Sequence, residues 1–101
     1  MKLILKGKVC NLKGEPIKQN GEELLLNETV ANALALSKEN GIKFFDWATK
    51  LHNDGVIEID DADRKLLEKF IETTQALSNF IKGPVLKALD SLKEEKIKGE
   101  K

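Results

Sequence analysis

The chain has one histidine, His52, beside Asn53 and Asp54, with Asp60, Asp61 and Asp63 a few residues further on. An imidazole among carboxylates is the raw material of a metal site or an acid–base pair. The layout invites a calcium test, because a helical stretch, an Asp54-Gly55 turn and a second helical stretch are the parts of an EF-hand. Setting Gly55 at the sixth loop position puts Lys50 at the first ligand, His52 at the third, Asp54 at the fifth and Asp61 at the twelfth. A lysine at the first position repels the ion, and aspartate replaces the bidentate glutamate poorly. A helix stop followed by a helix cap accounts for the segment better. No second histidine or cysteine lies at ligand spacing, so His52 is expected as a surface residue favoured by a helix C-terminus.

The other reactive side chains are as sparse. Ser37, Ser78 and Ser91 lack a nucleophile-elbow context. Cys10 is alone, which allows no internal disulfide or thiolate cluster and suggests a buried or edge-strand thiol. Glycines are scattered singly, with no phosphate-cradling run. Asp60, Asp61 and Asp63 crowd a helix start, where capping explains them. No catalytic, cofactor-binding or metal residue is expected, and the chain does not read as an enzyme.

Binding chemistry offers two readings. Residues 2–10 alternate, with Leu3, Leu5, Gly7 and Val9 on one face and Lys2, Ile4, Lys6, Lys8 and Cys10 on the other. An unpaired edge in that stretch, carrying Lys2, Ile4, Lys6 and Lys8, can add to another sheet. Trp47 sits one position off the Phe44–Ala48–Leu51 stripe; core is the preferred reading and an exposed partner anchor the other. The alternative is a small winged-helix-like DNA-binding regulator. Helices over 28–39 and 43–53 would form its helix-turn-helix and Val56 to Ile59 its wing, with Lys43, Lys50 and Asn53 as candidate DNA contacts. Asp46 between the two lysines and the absence of a basic stripe argue against nucleic acid as the partner.

Composition agrees. Lys plus Arg and Asp plus Glu are 17 each in 101 residues, so no net charge pulls the chain toward DNA or an anionic membrane. The balance hides a basic start, residues 1–18, and an acidic stretch, residues 58–72, that can attract each other. No apolar run is long enough to span a membrane, and lysines interrupt the start too soon for a signal peptide. A cytoplasmic protein is expected.

The elements that would position these residues follow from pattern. Asn11 to Pro16 is turn chemistry, and Ile17 can return as a short edge strand to close a hairpin with the first strand. Gln19-Asn20-Gly21 is a second turn. Asn27 is read as the N-cap of a small-residue helix to about 39, ended by Asn40-Gly41. A helix over 43–53 stops at Gly55, and Asp60 with Asp63 caps the next. Leu66, Leu67, Phe70, Ile71 and Thr74 make that helix's inner face. A last apolar stripe runs from Leu77 to Leu92 across Gly83-Pro84, where proline kinks or breaks the helix. The prediction is an α+β, mostly α fold: a β-hairpin or arm over 2–26, a body of three to four helices over 28–93, and a flexible charged tail over 94–101. Its core centres on Leu34, Phe44, Ala48, Leu51, Leu66, Phe70, Ile71 and Phe80.

The layout resembles a group of small, mostly uncharacterised proteins encoded in tailed phages and prophages. The likeness is carried by a β arm with a Lys-Gly turn, Val30 to Leu34 (VANAL), Lys43 to Leu51 (KFFDWATKL) and Leu66 to Phe70 after an acidic cap. It covers most of residues 2–92, and Gly83-Pro84 departs from it. The resemblance implies a phage-type accessory protein and assigns no active residue. The expected function is a non-enzymatic accessory role through protein–protein contacts or self-assembly, with a protein partner, a homo-oligomer or both.

Overall fold

The computed structural model describes the backbone of residues 1–99 and the side chains of residues 1–92. Its elements, in order, are β1 (Lys2–Ile4), β2 (Lys18–Gln19), β3 (Glu22–Glu23), α1 (Leu26–Leu36), α2 (Gly41–Asp54), β4 (Val56–Glu58), α3 (Asp61–Thr73) and α4 (Asn79–Gly99). This is the α+β, mostly helical class. Alternation at the start has the expected faces: Leu3, Leu5 and Val9 are buried, and Lys2, Ile4, Lys6 and Lys8 are exposed.

The expected return of Ile17 across the Asn11–Pro16 turn is present, its amide donating to the Val9 carbonyl at 2.8 Å, but residues 2–4 pair elsewhere. β1 runs antiparallel to β4, with Lys2 opposite Glu58, Leu3 opposite Ile57 and Ile4 opposite Val56. Met1 and Ile59 exchange hydrogen bonds at one end, and the Leu5 amide donates to the Gly55 carbonyl at the other. One edge of the first strand is therefore filled within the chain, by the start of the acidic segment. Gly7, at φ +98°, turns the backbone out of this sheet into a separate arm. There Cys10 faces Pro16, and β2 pairs with β3 around Asn20-Gly21. Three amides close a ring: Val9 donates to Leu24, Leu24 to Ile17 and Ile17 to Val9, each within 2.9 Å. Cys10 is exposed on this arm.

Helix ends also moved. Leu25, not Asn27, is the N-cap of α1, and the helix stops at Leu36 rather than 39. Asn27 instead donates from Nδ2 to the Leu51 carbonyl at 2.9 Å, a second donor on a carbonyl that also accepts the Gly55 amide, and reaches the His52 carbonyl at 3.4 Å. Asn40 takes φ +57° at the start of α2 rather than at the end of α1. Gly55, at φ +71°, closes α2 with its amide on the Leu51 carbonyl. The Asp60–Asp63 capping box of α3 forms as expected, the Asp63 amide donating to Asp60 at 2.7 Å and the Asp60 amide to Asp63 at 3.2 Å. α4 is continuous across Pro84 and extends to Gly99, beyond the end expected near 93. Pro84 lies in its second turn, and the donor it lacks would have met the carbonyl of half-exposed Phe80, which water can serve. The side chains of the charged tail at 94–101 lie outside the described residues.

One core joins all elements except β2 and β3. Phe44 stands at its centre, stacked on Trp47 at 5.6 Å and edge-on to Phe70 at 5.1 Å between centroids. Of the predicted core, Leu34, Phe44, Ala48, Leu51, Phe70 and Ile71 are buried; Leu66 is only partly so, and Phe80 lies at the margin, 40% exposed.

Candidate interaction surface

α1 and α2 make the most extensive helix contact of the fold. Small residues allow it, because Ala31 and Ala35 of α1 and Ala48 of α2 line the seam and let the backbones approach. The inner stripe of α2 is Phe44, Trp47, Ala48 and Leu51. Helical spacing then forces Ile42, Phe45, Thr49 and Asn53 outward. Ile42 is 81% and Phe45 65% exposed, although both are large and apolar.

A shallow groove of about 240 Å³ follows the outer seam of the two helices. Ala31, Asn32 and Ala35 form one wall, and Phe45, Ala48, Thr49, His52 and Asn53 the other. Thr49 spends its hydroxyl on the Phe45 carbonyl at 2.9 Å. The His52 ring lies 3.4 Å from the Asn53 amide oxygen. No Asp, Glu, Lys or Arg lines the groove, in a chain of which 34% is charged. Depletion of charge with an aromatic at the edge is the composition of the centre of a protein interface. A wider depression near Ala33, Phe70 and Ala76 also holds Lys38 and Glu39.

The residues singled out from sequence separate clearly. Lys2, Ile4 and Lys6 stay exposed beside one another on β1 and its extension, but Lys8 is bound to Glu23 at 2.6 Å. Trp47 is buried, so it is not an exposed anchor; Phe45, two residues earlier, is the outward aromatic. Lys43, Lys50 and Asn53 are exposed on α2, but Lys43 reaches Asp63 at 2.6 Å and lies 5.4 Å from the Trp47 ring centroid. The Lys43 hydrogen bond holds the Asp63 carboxyl below its ordinary range, and the Asp63 bond raises the Lys43 ammonium. One of the three DNA-contact candidates is thus committed inside the chain.

His52 meets no carboxylate in the groove, and no group of three or more metal-ligating side chains occurs among the described residues. No helix among them is long and apolar enough to cross a membrane. Arg64 escaped the sequence reading. It is buried, donating to Asp61 at 3.1 Å and to Glu68 at 2.8 Å, and the acids three before and four after it were a legible signal. No protein-family model matches the chain, and no curated protein or solved structure matches it.

Proposed function

We propose that this chain is a non-catalytic accessory protein of phage or prophage type, acting in the cytoplasm through protein–protein contacts at its α1–α2 face. One observation carries the reading: a groove free of charged residues, edged by outward Phe45, in a chain otherwise rich in charge. Solvated helices normally place Lys, Glu and Asp on such a face. Leaving Ile42 and Phe45 there has no benefit to folding, so their use lies in contact with another surface. The resemblance of the sequence pattern to phage-encoded proteins is the ground for the accessory role.

Photo-crosslinking in the producing cell tests this. A benzoyl-phenylalanine replacing Phe45 is expected to give a discrete protein adduct, whereas the same group at exposed Lys18 on β2 gives none. Equal labelling from both positions would refute the docking face. Retardation of duplex DNA at low salt, lost steeply as salt rises, would favour the winged-helix regulator instead.

A further inference from the structure

The docking face still needs an occupant, and this step rests on the reading just given. We propose that the α1–α2 face pairs with the same face of a second copy of the chain, the two α2 helices lying antiparallel about a two-fold axis beside Thr49. A contact of this type must be self-complementary, each feature meeting its counterpart on the other copy.

The outer surface of α2 has that property. Phe45 and His52 lie on its groove flank, Asp46 and Lys50 on the opposite flank, and Thr49 between them. When two helices pack antiparallel, like flanks meet. Asp46 then faces Lys50 of the second copy, and Lys50 faces its Asp46, so one contact yields two ion pairs. On the other flank Phe45 arrives beside His52 of the second copy, over the groove walled by Ala31 and Ala35. A parallel arrangement instead sets the charged flank of one copy on the apolar flank of the other, stripping water from charges without pairing them.

The charges are available. Asp46 and Lys50 are exposed, and neither forms an ion pair among the described residues despite their i, i+4 spacing. The other exposed candidate, β1, does not suit a second copy. An antiparallel pair centred on Ile4 would set Lys2 against Lys6 of the other chain, like charges directly opposed. At 14 residues α2 is about 21 Å long, which places the contact at the small end of specific interfaces and makes the dimer concentration-dependent.

The test uses the full chain in a Cys10→Ser background, followed by sedimentation across a dilution series. Reversible dimers are expected. Asp46→Lys and Lys50→Asp should each weaken the dimer by about tenfold, and the double reversal should restore it. Thr49→Cys, at the axis, should oxidise to a covalent dimer much faster than Lys18→Cys. Circular dichroism of each surface variant verifies that the fold is intact. A chain that stays monomeric to about 1 mM, or a double reversal no better than either single one, overturns the self-pairing. If the monomer's Phe45-position crosslink still captures a different protein, the docking face stands and only the second copy falls. If that crosslink captures nothing, both readings fall.

Discussion

Lys43 is the residue whose surroundings do most to separate structure from recognition. From sequence it is an exposed helical lysine, available to a phosphate. In the fold its Nζ sits 2.6 Å from Asp63, while the same ammonium lies near the Trp47 ring. Asp63 already belongs to the α3 cap, so this pair fastens the N-terminal part of α2 to the first turn of α3. Its linkage to pH has two sides. The carboxyl is lowered mainly by the Lys43 hydrogen bond, so its stabilisation is present above the ordinary carboxylate value, about 3.9, and is lost as pH falls through the lower folded value. The ammonium is raised mainly by Asp63, so its share is present below the ordinary lysine value, about 10.4, and is lost as pH rises through the folded value. Lys43→Met keeps much of the apolar stem and removes the charge. It should lower the melting temperature slightly at neutral pH and flatten both limbs of the stability–pH profile. Thermal scans between acid and alkaline buffers check this; an unchanged acid limb would show that the pair adds nothing.

The elements show where pattern suffices and where it fails. The inward face of α2, the Leu67, Phe70 and Ile71 part of the α3 face and the capping box at Asp60 were legible, because each depends on spacing within a few residues. Phe44 and Leu51 fell to the core for that reason. The role of Asn27 was not legible. An Asn before an apolar run is an N-cap by local rules, yet its side chain serves the end of a helix that starts 14 residues later, and no local signal announces that contact. The partner of β1 was hidden likewise, since a period of two tells which way Leu3 and Ile4 point but not which strand lies alongside. The candidate face was half visible: the Phe44 stripe and the preferred core place of Trp47 are as read from spacing, while the outward turn of Phe45 was not anticipated. Gly55 links both lessons. Its positive φ was expected from the helix stop, but a Cβ there would also stand 2.9 Å from the Leu5 carbonyl, where β1 crosses. Gly55→Ala should therefore destabilise by about 2 kcal/mol or more, the left-handed strain adding to a backbone clash. Gly14→Ala, also at positive φ but with open space around it, should be milder. Urea unfolding of the two variants compares the terms, and equal losses would mean that the β1 approach is irrelevant.

Across the whole molecule, the first five residues do more than edge a sheet. β1 lies on β4, which is the link between α2 and α3, and α4 packs against β1 from the far end of the chain. Leu3 and Leu5 belong to the same buried cluster as Leu89 and Leu92, so the two ends of the sequence share one interior. Such long-range closure makes unfolding cooperative, because removing the first segment opens the α2–α3 link and the seat of α4 together. Leu5 and Ile4 are adjacent and similar in size, but Leu5 is 1% exposed and Ile4 55%. Leu5→Ala should thus cost about 2–5 kcal/mol, a large fraction of the total stability of a domain this size. Ile4→Ala should stay within about 0.5 kcal/mol. Denaturant melts followed both by far-ultraviolet dichroism and by Trp47 fluorescence provide the measurement. For Leu5→Ala the two signals should shift together, since Trp47 shares the interior that β1 helps close. If Trp47 kept its native midpoint while helicity fell, the chain ends would form a separate unit, and a single core would no longer describe the protein.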